Sequence, residues 1–247
     1  RGFRSQRSPG NARWADGSAA WDLLYGQAGI TDWFDEDSLT KLGLGYRFGL
    51  KEYFEVPVES RLGAILEGGG DVGELLFDSD PEILARETAN LTKKSELKLV
   101  SEKSGIEVDP SDVGAGVSQV VPVVVGAMAP GCQIFAVEQP ELHIHPAVQC
   151  ELADVFIREA NQNSDRLCLI ETHSEHFLLR LMRRIRETHQ GEGLSPDLAL
   201  SPEALAVFFV ETEEKQSHYR EITIDQRGKL KDEWPCGFFE ERLNELF

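Results

Sequence analysis

Two short apolar runs, each followed by a glutamate, constrain the fold of this chain more than any other feature. The first run covers residues 133–137 before Glu138, and the second covers residues 167–170 before Glu171. A helix-like segment at 146–160 separates them, with a proline in its first turn and apolar side chains on one face. The order strand, helix, strand is typical of an α/β structure with parallel strands and flanking helices.

The neighbouring segments extend this pattern. Residues 118–128 are apolar with small side chains and predict a buried helix, and residues 172–188 predict another helix. Further strands are predicted at 205–210 and 218–224. We therefore predict an α/β fold with a mostly parallel sheet and flanking helices.

The N-terminal part has a different pattern. Residues 42–58 alternate like strands of an antiparallel sheet, and residues 96–108 are typical of a hairpin. Long irregular stretches surround these strands, so we predict an irregular α+β region before the α/β core. The predicted regions are 1–107, the core at 108–200, and C-terminal strands and a helix at 201–247.

Composition limits the partners and the compartment. The chain has 43 acidic and 25 basic residues, a formal charge of −18, which argues against coating nucleic acid with its whole surface. No apolar run approaches the roughly 20 residues of a membrane helix, and the start lacks a signal peptide. Scattered cysteines, with Cys132 and Cys168 in strand-like runs, predict buried reduced thiols and a cytoplasmic protein. The polar opening from Arg1 predicts a piece of a longer protein.

Polar side chains stand at both strand ends. Glu138 follows the first strand, and Glu171 and Thr172 follow the second. Ligands of open α/β sheets bind at the carboxyl edge of the parallel strands. A carboxylate there holds Mg²⁺, directly or through water, while the ion binds a phosphate. The alternative is that Glu138 is a solvated residue that begins a turn.

The run GAGVSQ at 114–119 precedes the first predicted helix. Ser118 is predicted to begin this helix, while Gly114 and Gly116 let the backbone approach a ligand closely. A helix N-terminus capped by serine is a natural anion site. The alternative is an ordinary capped core helix after a glycine-rich loop.

These motifs together resemble those of ATP-binding-cassette-type ATPases. IFAVEQP at 134–140 is similar to their Walker B strand and its continuation, IETHS at 170–174 to their switch-histidine loop, and GAGVSQ to their signature motif. From about residue 95, the chain resembles a bacterial group of AAA-type ATPases related to the overcoming-lysogenization-defect and RecF/SMC proteins. That group has a C-terminal module of unknown function with a WPxGFF-like motif, here at 234–239.

The resemblance implies a P-loop NTPase-like fold that uses ATP and Mg²⁺. Glu138 would bind the metal, Gln139 would place a water molecule, and His173 would sense the γ-phosphate. It implies a homodimer through the ATPase heads, with an effector subunit and DNA as further partners, and a role in DNA repair or antiphage defence. The residues that it assigns to nucleotide contacts are Gly116, Ser118, Gln119 and Glu141, with Ser118 reaching the partner's nucleotide.

Two departures from this family pattern affect the predicted activity. The Walker A loop, G-x-x-x-x-G-K-[ST], is absent from these 247 residues. Gln139 stands where many cassette ATPases have a catalytic glutamate. Glutamine orients water but is no general base near neutral pH, so slow or gated hydrolysis is implied. The rival hypothesis is a non-hydrolysing assembly or binding module.

The histidines and arginines leave further alternatives open. Thr172 and Glu175 fit a capping box, which would leave His173 as a first-turn residue without a role. The histidines also match a metallohydrolase hypothesis. The arginines of the helix predicted at 172–188 form a solvated or internally paired face, or they contact the DNA backbone. The histidines are His143, His145, His173 and His176, and the arginines are Arg180, Arg183, Arg184 and Arg186.

Overall fold

The computed structural model describes residues 17–26, 42–68, 91–129, 132–191, 193–213 and 215–232. The motif at 234–239 and Cys236, both used in the sequence predictions, lie outside these ranges. Within them, no helix combines the length and the hydropathy that are needed to cross a bilayer.

An antiparallel sheet forms the N-terminal part. Strand β1 (Tyr46–Glu55) pairs along its whole length with β2 (Thr92–Ser101), and β2 continues through a turn into the short β3 (Glu107–Val108). The predicted antiparallel pattern and hairpin are thereby confirmed. Helices α1 (Ser18–Gly26) and α2 (Arg61–Glu67) belong to the same part of the chain. The largest fully buried side chains of the sheet are Phe48, Leu97 and Leu99.

The parallel unit follows, and its elements alternate as predicted. Helix α3 (Ala115–Met128) precedes β4 (Ile134–Glu138), and α4 (Pro146–Gln162) connects β4 to β5 (Leu167–Glu171). Strands β4 and β5 are parallel, as a crossover helix between two neighbouring strands requires. The strand–helix–strand prediction is confirmed. Helix α5 (Glu175–Gln190) comes next.

The prediction of a mostly parallel sheet is not supported within the described residues. The predicted third and fourth strands are β6 (Val207–Glu213) and β7 (Gln216–Ile222), which pair only with each other and are antiparallel. Their short connection explains this pairing, because a tight turn joins antiparallel strands, whereas parallel strands need a crossover of a dozen or more residues.

The predicted burial of β4 and β5 applies to one face of the pair only. Phe135 of β4 packs on Phe156 of α4 with ring centroids 6.1 Å apart, and Phe156 meets Phe177 of α5 at 5.8 Å. On the opposite face, Ile134 is 63% exposed and Leu167 is 53% exposed. The described helices that meet these strands pack on the face that carries Phe135.

Helix α3 begins one turn earlier than predicted. Its N-cap is Gly114, and the Ser118 hydroxyl donates to the Ala115 carbonyl oxygen at 3.0 Å instead of capping the helix. The prediction that Ser118 begins the helix is therefore wrong. Pro122 lies inside the helix.

Helix α5 begins three residues later than predicted. Ser174 is its N-cap, and the Ser174 hydroxyl oxygen accepts a hydrogen bond from the Phe177 N–H at 2.9 Å. The Thr172 hydroxyl oxygen instead accepts the Ser174 N–H at 3.0 Å. The predicted capping box at Thr172 is therefore wrong. As a consequence, His173 precedes the helix and belongs to the loop that follows β5.

Three of the four arginines of α5 form ion pairs, and two of these arginines pair with carboxylates of α4. The fully buried Asp154 accepts hydrogen bonds from Arg180 and Arg184, each at 2.9 Å. Arg184 and Arg183 also pair with Glu187, at 2.7 and 2.6 Å. Three of the four arginines thus have carboxylate partners within the chain, as the internally paired alternative predicted.

The cysteines partly match their prediction. Cys132, Cys150 and Cys168 are free, and all three are half-buried rather than fully buried. Burial raises the pKa of the Cys168 thiol, which keeps it protonated and unreactive at neutral pH.

Candidate functional site

The carboxyl ends of β4 and β5 bring four polar residues together. Glu138 and Glu171 are the last residues of the two strands and are direct partners in the parallel register. Gln139 follows β4, and His173 lies two residues beyond β5. We call Glu138, Gln139, Glu171 and His173 the strand-end site. Its position agrees with the sequence prediction of a ligand edge.

Glu171 connects the other members of this site. Its carbonyl oxygen accepts the Gln139 N–H at 2.8 Å, and its carboxylate Oε2 accepts the same N–H at 3.2 Å. Its Oε1 lies 3.1 Å from Nε2 of His173. Sequence reasoning placed Glu171 at the strand end but assigned it no role. The signal that selected Glu138, a carboxylate directly after an apolar run, was equally present at Glu171.

The turn after β4 contains two residues in left-handed backbone. Gln139 has a φ of 45° and His143 a φ of 60°. Such values are uncommon for residues other than glycine and cost on the order of 1–3 kcal/mol each, so surrounding contacts must maintain them. Strained backbone of this kind is concentrated at functional sites, which supports a functional role for Gln139.

Glu141 lies in this turn and is buried. Glu141 is only 9% exposed, and its Oε1 accepts a hydrogen bond from the backbone N–H of His173 at 2.7 Å. Its Oε2 has no hydrogen-bond partner among the described residues. The carboxylate thus contacts the loop that carries His173. The nucleotide contact that the family resemblance assigned to Glu141 stays a prediction.

Gly116 of the signature-like run packs against the same turn. A β-carbon on Gly116 would lie 2.6 Å from the carbonyl oxygen of His143 and 3.2 Å from Cγ2 of Ile144. Among the described residues, and leaving aside its two chain neighbours, no atom lies within 4 Å of a β-carbon built on Gly114. Packing within the chain therefore explains the glycine at 116. The ligand contacts predicted for Gly116, Ser118 and Gln119 stay predictions.

The histidines of the metallohydrolase hypothesis do not converge on a metal site. Across the described residues, no group of three or more His, Cys, Asp or Glu side chains is placed to hold a metal ion. His145 instead caps α4, because its Nδ1 accepts the Ala147 N–H at 3.2 Å. Mg²⁺ has a different requirement, since one or two carboxylates and substrate phosphates suffice to bind it. The exposed Glu138 meets that requirement.

Comparison with known families adds independent evidence. Residues 73–178 match the model of the AAA ATPase domain, and this range contains every member of the strand-end site. Residues 200–247 match a family described as a protein of unknown function (DUF3696). These matches support an AAA-type ATPase. No curated protein matches the chain.

The ATPase domain has direct consequences for fold and ligand. It implies a P-loop NTPase-like α/β fold, and it supports ATP binding and hydrolysis as the general function. It also implies a nucleotide as the ligand, typically with Mg²⁺. Neither match identifies the overcoming-lysogenization-defect or RecF/SMC proteins, so the relation to them stays a prediction. The domain boundaries at residues 107 and 200 also stay predictions.

Proposed function

We propose that this chain supplies the metal-binding, water-orienting and phosphate-sensing groups of an ATP-dependent molecular switch. The observation that supports this proposal most is the Glu171 carboxylate, which contacts both the Gln139 N–H and the His173 imidazole. Two adjacent parallel strands thereby present polar groups at the edge where α/β proteins bind ligands. The match to the AAA ATPase domain makes nucleoside triphosphate the expected ligand.

Each residue of the strand-end site has a separate task in this proposal. Bound Mg²⁺ would neutralise phosphate charge during the transfer. Glu138 holds the ion, directly or through water. Gln139 orients the attacking water through its side-chain amide, and His173 contacts the γ-phosphate. Glu171 sets the orientation of the imidazole of His173 through the 3.1 Å contact.

The assembly and the biological task belong to the same proposal. Two heads associate around ATP, and the N-terminal turn of α3 with Ser118 acts on the partner's nucleotide. The output is a task in DNA repair or antiphage defence, carried out with an effector subunit in the cytoplasm. Because Arg180, Arg183 and Arg184 pair with carboxylates of the chain, this proposal does not assign these three arginines to DNA contacts.

A non-hydrolysing assembly module is the second candidate. Two observations favour it: no G-x-x-x-x-G-K-[ST] run is present in the 247 residues, and glutamine occupies position 139. Under this alternative, the strand-end site contributes to association between proteins without turnover.

The test is ATP turnover by the full-length protein in the presence of Mg²⁺, measured as phosphate release. Glu138→Ala is expected to lower turnover by about 10- to 100-fold, the range seen when metal-site partners are lost. Glu203→Ala removes an exposed carboxylate far from the strand ends in sequence and serves as the control.

The 247-residue chain by itself is expected to show negligible turnover, because it lacks the loop that cradles the phosphates. Full-length protein that binds no ATP would contradict the switch. ATP binding without turnover would favour the assembly module.

A further inference from the structure

We propose that Glu141 is the positioning residue of the strand-end site and that it acts through His173. Its carboxylate fixes the backbone of the His173 loop and couples that loop to the turn that carries Gln139. This inference rests on the proposed ATP-dependent function, but it assigns Glu141 a different task from a nucleotide contact.

The first supporting observation is the contact itself. Oε1 of Glu141 accepts the His173 N–H at 2.7 Å and joins residues 32 positions apart in the sequence. The residue is 9% exposed, so water competes little for this hydrogen bond. This single bond therefore constrains the His173 backbone effectively.

A second set of hydrogen bonds joins the same two segments through α4. The Ser174 hydroxyl donates to the Gln149 side-chain carbonyl oxygen at 2.6 Å. The Gln149 side-chain amide in turn donates to the carbonyl oxygens of Ile144 at 3.0 Å and of Glu141 at 3.4 Å. The turn after β4 and the loop after β5 are thus connected at two points, one at His173 and one at Ser174.

The strained backbone of the turn after β4 makes its connection to the His173 loop important for Gln139. Gln139 and His143, both in left-handed backbone, lie on either side of Glu141. Backbone of this kind persists only where surrounding contacts determine it. The bond to His173 is one such contact, so a displacement of the His173 loop changes the position of Gln139. Loss of the γ-phosphate contact at His173 would be transmitted to the residue that orients water.

The two possible roles of Glu141, positioning the His173 loop and binding a ligand, require different chemistry from its side chain. A positioning role requires an acceptor for the His173 N–H, and the carbonyl oxygen of glutamine provides one. A role as a base requires an ionisable carboxylate, which glutamine lacks, and a role as a cation ligand is weakened when the negative charge is lost. Glu141→Gln therefore retains the first role and impairs the second, while Glu141→Ala removes both.

The first experiment measures kcat and KM for ATP in the full-length protein. Glu141→Ala is expected to lower kcat on the order of 10-fold or more, the range for residues that orient a site, with KM changed less than about threefold. Glu141→Gln is expected to retain kcat within about threefold. The double variant Glu141→Ala, His173→Ala should be no slower than His173→Ala alone, since Glu141 acts through His173.

The second experiment does not depend on ATP. Hydrogen exchange of the His173 amide is expected to become at least about tenfold faster in Glu141→Ala and to stay near the wild-type rate in Glu141→Gln. Full-length protein without turnover would contradict the proposed function, and the amide exchange would still decide the contact. The inference is overturned if Glu141→Gln is as slow as Glu141→Ala, if the two losses add in the double variant, or if Glu141→Ala leaves the amide protected.

Discussion

The backbone N–H of Gln139 donates to two oxygens of Glu171, the carbonyl oxygen at 2.8 Å and Oε2 at 3.2 Å. This shared hydrogen bond continues the β4–β5 pairing one residue beyond the end of the strands. It holds Gln139 at a φ of 45° and at the edge that Glu138 and His173 share. The side chain of Gln139 is consequently presented from a defined backbone position, which is what orienting a water molecule requires.

Substitutions at Gln139 test this orienting role in the full-length protein. Gln139→Glu supplies a candidate general base at the same position, so we expect turnover to rise, since general bases contribute on the order of 10²–10⁴-fold. Gln139→Ala removes the amide and is expected to lower turnover. Phosphate release at saturating ATP measures both. Unchanged hydrolysis in Gln139→Ala would show that the side chain does not position water.

Gly116 and Gly114 form a matched pair for testing the contact between α3 and the turn after β4. A β-carbon on Gly116 would lie 2.6 Å from the His143 carbonyl oxygen, whereas one on Gly114 would meet no atom of another described residue within 4 Å, its chain neighbours aside. Gly116→Ala is expected to destabilise the fold by about 1–3 kcal/mol, the usual cost of overpacking. Gly114→Ala is expected to be close to neutral. Urea unfolding of both variants measures the difference, and equal stabilities would contradict the packing described here.

Asp154 and Glu151 both pair with Arg180, at 2.9 and 2.7 Å, but only Asp154 is fully buried. Asp154→Ala leaves Arg180 and Arg184 without their shared buried carboxylate, so we expect a loss of about 3–5 kcal/mol. Glu151→Ala breaks a partly exposed pair and is expected to cost about 0–1 kcal/mol. Chemical denaturation compares the two variants. Similar losses would show that burial does not determine the importance of this ion-pair network.

Asp197 gives a prediction for the pH dependence of stability. Hydrogen bonds from the Ser195 hydroxyl and the Arg158 guanidinium hold the pKa of Asp197 below its ordinary value of 3.8. A depressed pKa in the folded state contributes stability above the ordinary pKa and loses it as the pH falls through the folded value. Asp197→Asn is therefore expected to be less stable than wild type at pH 7, with the difference shrinking below about pH 4.

The measurement is urea unfolding of wild type and Asp197→Asn at several pH values between 7 and 3. Asp165→Asn, a substitution of an exposed aspartate, is the control for a general effect of charge removal. If the free energies of unfolding of wild type and Asp197→Asn differ by the same amount across this pH range, the lowered pKa of Asp197 is contradicted.

Local patterns in the sequence were sufficient to predict the parallel unit. The apolar runs before Glu138 and Glu171 and the one-sided apolar face of α4 are short-range features, and they specify two strands joined by a helix. The position of a carboxylate at each strand end follows from the same runs. The antiparallel strand pattern at 42–58 and the hairpin at 96–108 were also predicted, because alternation with a period of two is local.

Tertiary structure decided which segments meet. Both Thr172 and Ser174 are competent helix caps, and the end of β5 together with the bond from Ser174 to Gln149 selects Ser174. The family resemblance assigned Glu141 a nucleotide contact, and nothing in the sequence predicted its contact with His173. The burial of Glu141 depends on α3 and the His173 loop closing around the turn after β4, and these contacts join residues about 25 to 32 positions apart. The pairing of β1 with β2, which are far apart in the sequence, depends in the same way on which segments pack together, and no periodicity within a segment records that choice.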